Sequence, residues 1–141
     1  AHAAWTAPAT RLLTATQARA EVPIAVGSRA NLTLHPAADL QFPRRAEAKR
    51  PGTFGGAAAF TVSVDGQHEV FLDRRAWIDI ALAATGEVIG SLRSDRWLAC
   101  AGVNKNLGFL LKAGTAYQLQ LSEMDAQAAS ALIMPIPAAQ K

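Results

Sequence analysis

The stretch that decides the fold is Phe60-Thr61-Val62-Ser63-Val64-Asp65-Gly66-Gln67-His68-Glu69-Val70-Phe71-Leu72. Phe60, Val62 and Val64 alternate with Thr61 and Ser63, so an extended chain here has one apolar and one polar face, the pattern of a half-buried strand. His68, Val70 and Leu72 resume the alternation on the far side of Asp65-Gly66. That dipeptide suits a type I′ turn, so the stretch reads as a β-hairpin.

Working outward, the same period recurs. After a turn at Asp73-Arg74-Arg75, Trp77 to Leu82 reads as a strand with Ile78, Ile80 and Leu82 on one face and Trp77 and Asp79 on the other. Thr85-Gly86-Glu87 turns the chain into 88–92. Leu107 to Leu111 is strand-like, Ala113-Gly114-Thr115 is a tight turn, and Tyr117, Leu119 and Leu121 alternate with Gln118, Gln120 and Ser122. A last apolar strand, Ala131 to Met134, ends at Pro135. Upstream, 22–26 and 31–34 read as short strands, the first an edge because Pro23 cannot donate to a ladder. Helix is permitted only at 9–20 and around 124–129. Eight or nine strands with regular turn signals point to an all-β fold: a two-sheet antiparallel sandwich, jelly-roll-like. The expected organisation is an N-terminal arm or irregular segment (1–21), the sandwich (22–135) and a short tail (136–141).

Composition agrees. At 141 residues, half of them hydrophobic and 18% charged, the chain suits one globular domain and not a disordered one. No apolar run approaches the roughly 20 residues that span a bilayer as a helix. The start, Ala1-His2-Ala3-Ala4, resembles what signal-peptide cleavage leaves, and a truncated start would look the same. Together with the likeness described below, it gives the expectation of a periplasmic or secreted protein. Cys100 is the single cysteine, so no intrachain disulfide can form. Set between Leu98-Ala99 and Ala101-Gly102, it reads as a buried, unreactive thiol.

The net charge is +3, and four of the residues 44–50 are cationic: Arg44, Arg45, Lys49 and Arg50. Without aromatic stacking residues or a recognition helix beside it, this run reads as a solvated loop and not as a nucleic-acid interface. It lies in a long connection, 37–56. Loops of that length carry either function or structure of their own, here a binding surface or a strap between sheets.

Several segments together carry a family likeness: Arg50-Pro51-Gly52-Thr53-Phe54-Gly55-Gly56, Phe60-Thr61-Val62, Gly66-Gln67-His68-Glu69-Val70-Phe71-Leu72 and Ala76-Trp77-Ile78-Asp79, with Cys100, Lys105, Phe109 and Ala113-Gly114-Thr115-Ala116-Tyr117-Gln118-Leu119-Gln120-Leu121. In that order, over about residues 22–134, the chain resembles a group of small exported proteobacterial β-sandwich proteins of unsettled function, sometimes labelled homogentisate dioxygenase. It is also similar, more widely, to jelly-roll domains appended to secreted peptidases and to carbohydrate-binding modules. The likeness implies a sandwich and export; one sandwich fold hosts many functions, so it implies no ligand. A non-haem iron dioxygenase needs two histidines and a carboxylate converging on the metal. His2, His35 and His68 are the only histidines, and none has a close ligand spacing.

The first candidate site is the pair Trp77 and Asp79. On a strand whose opposite face is apolar, both point outward. Either an indole beside a carboxylate holds a sugar, or Trp77 packs under the 37–56 connection and Asp79 bonds backbone or an arginine. Trp97 either joins that platform or plugs one end of the sandwich, with Arg44 and Arg45 bordering the site. Tyr117 is expected in the core with its hydroxyl at the rim, and Gln118 and Gln120 along a polar groove. No metal or cofactor site and no catalytic set can be picked out. The expected role is a non-catalytic binding module for carbohydrate or an envelope component. A homo-oligomeric assembly protein is the alternative, and a small metal-dependent or hydrolytic enzyme comes last.

Overall fold

The computed structural model describes residues 2–17, 20–42, 49–92 and 102–136. Among them are ten strands in two five-stranded sheets. A short helix, α1 (His2–Thr6), precedes β1 (Thr10–Leu13), β2 (Ala30–Thr33) and β3 (His35–Pro36), and a 3₁₀ turn at Ala37–Asp39 follows. Then come β4 (Phe54–Thr61), β5 (Gly66–Leu72), β6 (Trp77–Leu82), β7 (Val88–Ile89), β8 (Lys105–Leu111), β9 (Ala116–Met124) and β10 (Ala128–Pro135).

Sheet A runs β1-β2-β10-β5-β8 and sheet B runs β3-β4-β9-β6-β7. All pairs are antiparallel except β1–β2. Leaving aside β1 and β3, the other eight strands interleave between the sheets in the order of a jelly roll. The two-sheet sandwich expected from the alternation is therefore present.

The alternating residues do what their period requires. Phe60 and Val62, Val70 and Leu72, Ile78 and Ile80, Phe109 and Leu111, and Tyr117, Leu119 and Leu121 form one buried layer between the sheets. Phe60 and Tyr117 stack with ring centroids 5.5 Å apart. As expected, Tyr117 is core while its hydroxyl reaches the rim, where it accepts a hydrogen bond from the Lys112 N–H at 2.8 Å.

The Asp65-Gly66 hairpin is not formed. β4 pairs with β9, whereas β5 pairs with β10 and β8, so residues 62–65 cross from one sheet to the other. Asp65 serves the crossing: its Oδ1 accepts the Ala113 N–H at 2.8 Å. A hairpin and an inter-sheet crossing carry the same alternation, because in both the apolar faces meet the same core. Among the described residues, consecutive strands pair antiparallel at β3–β4, across a long connection, and at β6–β7, where a tight turn bonds Leu82 N–H to Glu87 O at 2.9 Å.

Three further expectations change. Residues 22–26 form no strand; only Pro23 makes a single parallel bridge, to Ala59. The described residues of the segment 9–20 contain β1 and no helix, so part of the expected arm belongs to the edge of sheet A. Around 124–129, strand gives way to a short turn and to strand again.

Chain segments cover the exposed edge of β4 in sequence. β3 pairs with Phe54 and Gly55, Ala15 exchanges two hydrogen bonds with Ala57, and Val22 and Ile24 bond to Ala59. Such cover blocks edge-to-edge association. On the outer face of sheet A, Trp5 of α1 packs on Phe71 and Leu132 and lies beneath the Arg29 guanidinium, 5.9 Å from the ring centroid.

Candidate functional site

The outer face of sheet B holds the expected pair. Ile78 and Ile80 are buried in the core, so Trp77 and Asp79 face outward. Trp77 is 47% exposed, and its Nε1 donates to Asp79 Oδ2 at 3.1 Å. The bond fixes the indole's orientation while leaving much of the ring surface at the solvent boundary.

β9 supplies the neighbours. Gln120 lies between Ala57 of β4 and Asp79 of β6, and Ser122 lies beside Trp77. Gln120 is partly exposed, whereas Ser122 is buried. On the β4 side of this face Gly55 and Ala57 are buried, whereas Trp77, Asp79 and Gln120 keep exposed surface.

Gln118 turns its side chain to the backbone of Ala20. Its amide is buried and holds the Ala20 backbone at both ends: Ala20 N–H donates to Oε1 at 2.8 Å and Nε2 donates to Ala20 O at 3.1 Å. Ala15 and Pro23 bridge the β4 edge and Ala20 lies over Gln118, so the segment is a strap anchored at three points. Sequence reasoning missed this strap, since nothing local in a Thr- and Ala-rich segment marks a partner 98 residues away.

Beyond the strap, a cavity of about 350 Å³ opens on the same sheet, lined by Pro23–Val26, Ala59–Thr61 and Ala116–Gln118. At the opposite end, next to Trp77, Arg50 Nη2 pairs with Glu123 Oε1 at 3.2 Å and Arg74 with Asp125 at 3.7 Å. Arg44, Arg45 and Trp97, proposed to border the pair, lie outside the described residues, as does Cys100. No group of three or more His, Cys, Asp and Glu able to hold a metal ion occurs among the described residues. His68 is buried, with Nδ1 bonded to Gly66 O at 3.0 Å, and His35 Nε2 donates to Thr14 O at 2.6 Å. No helix among the described residues is long and apolar enough to cross a membrane.

One outer-face carboxylate elsewhere stands out. Glu69 of β5 is fully buried; its Oε2 accepts from Asn106 Nδ2 at 2.6 Å, while Oε1 has no hydrogen-bond partner among the described residues. Gly108 faces it, and a Cβ there would lie 3.0 Å from that oxygen.

No family model matches the chain, and no curated protein matches it. Among solved structures, a novel β-glucosidase from Paenibacillus barengoltzii is similar over 90% of this chain and 13% of its own length, at 13% identity and a TM-score of 0.31. The chain thus spans 13% of that enzyme, and a likeness this weak carries no functional argument.

Proposed function

We propose that the protein is a binding module that holds an oligosaccharide on the outer face of sheet B, with Trp77 as the stacking platform. The supporting observation is the half-exposed indole of Trp77, oriented by its hydrogen bond to Asp79, which has Gln120 as its register partner. A flat apolar ring matches the C–H face of a pyranose, and the Asp79 carboxylate and Gln120 amide supply acceptors and donors for hydroxyls at its edge. The ring is held before binding, which lowers the ordering cost of association.

Affinity electrophoresis through gels containing soluble polysaccharides tests the reading. Retardation by at least one glycan, reduced about tenfold in apparent affinity (~1.4 kcal/mol) by Trp77→Ala, is the expected result. Retardation by no glycan, or equal retardation of the variant, contradicts it.

A further inference from the structure

β9 carries a bulge beside the Trp77 platform. Phe54 partners Met124 but Gly56 partners Leu121, so β9 contains one more residue than β4 across this interval. The extra length lies at Ser122 and Glu123, opposite Gly55. Glu123 has φ 59°, the left-handed region that a side chain other than glycine or asparagine rarely takes. Gly55 is needed by the same feature: a Cβ there would lie 2.3 Å from Leu121 O and 3.0 Å from Ser122 Cα.

Strict alternation after Leu121 and Ser122 would turn Glu123 toward the apolar layer. The left-handed turn instead brings its carboxylate to Arg50 at 3.2 Å, with the Glu123 side chain only 19% exposed. Ser122 is the register partner of Trp77, so the pair stands one residue from the platform. Bulges re-aim side chains and gather beside binding sites, and a strained residue persists where its surroundings hold it. A glycine would relieve the strain at position 123; the carboxylate is what it would not supply.

We infer that the Glu123–Arg50 pair is the end wall of the Trp77 site and selects neutral sugars with adjacent hydroxyls. This inference rests on the binding-module reading. Glu123 accepts from one hydroxyl, and the Arg50 guanidinium donates to its neighbour. The two described ion pairs at this end, Arg50–Glu123 and Arg74–Asp125, are each neutral overall. An acidic sugar gains no net attraction from that set.

Calorimetric titration with cellohexaose, xylohexaose, mannohexaose and oligogalacturonate tests it on the wild-type chain, Trp77→Ala, Glu123→Gly and Glu123→Asn. The two position-123 variants both tolerate the left-handed backbone, so they should melt at or above the wild-type temperature yet bind the preferred neutral hexasaccharide at least fivefold more weakly. Unchanged affinity in both, with Trp77→Ala still weakened, overturns the wall and leaves the module standing. Tighter binding of oligogalacturonate than of every neutral probe overturns the selectivity. Binding of no probe by the wild type overturns both readings.

Discussion

Gln118 in β9 grips the backbone of Ala20 with both ends of its amide, at 2.8 and 3.1 Å, across a sequence separation of 98 residues. Both groups are buried, so each hydrogen bond is made away from competing water. The contact holds the strap that covers Ala57 and covers the β4 edge. It also divides the outer face of sheet B into the Trp77 end and the cavity beside Pro23. Gln118→Ala leaves the Ala20 N–H and C=O without side-chain partners and should cost about 2 kcal/mol. Urea unfolding measures the loss, and hydrogen exchange should accelerate first at Ala20–Ile24. Unchanged exchange there would show that the strap is held by other contacts.

Gly56 is a second point of close approach. A Cβ at this position would lie 1.9 Å from Thr14 Oγ1, and Thr14 is itself tied to Thr33 O at 2.6 Å. Neither side can yield without breaking a hydrogen bond or moving β4. Gly56→Ala should therefore cost about 3 kcal/mol. Adding Thr14→Gly, which removes both the hydroxyl and the Thr14 Cβ that would lie 2.5 Å away, should recover part of it. A double variant no more stable than Gly56→Ala alone would refute this packing.

The strands themselves were legible because alternation reports burial directly, and Phe60, Val62, Leu119 and Leu121 all turn inward as that period demands. The outward direction of Trp77 and Asp79 followed from the same rule. Sheet membership did not follow, since Asp65-Gly66 closes a hairpin or carries a crossing with the same residues on the same faces. The short strands β1 and β3 and the strap escaped for another reason. Each is held by long-range backbone pairing, and its sequence has no strong period of its own. The bulge at Glu123 was equally hidden: glutamate gives no local signal of a left-handed backbone, which is visible only in the register shift against Gly55.

Glu69 offers a test of buried polarity. With Oε1 lacking a hydrogen-bond partner among the described residues, the carboxylate is incompletely compensated inside sheet A's outer layer. Glu69→Gln keeps the acceptor for Asn106 and removes the charge, so the variant should be as stable as wild type or more stable by about 1 kcal/mol. The urea midpoint decides. A loss of more than that amount would mean the carboxylate meets a cationic partner.

The binding face can be located in a single experiment. In an ¹⁵N-correlated NMR titration with the neutral hexasaccharide of highest affinity, the Trp77 indole N–H and the amides of Asp79, Gln120 and Glu123 should shift together, while Phe71 and Leu132 on sheet A stay fixed. A titration that moves sheet A residues and leaves the Trp77 indole in place would contradict the assignment of ligand binding to sheet B.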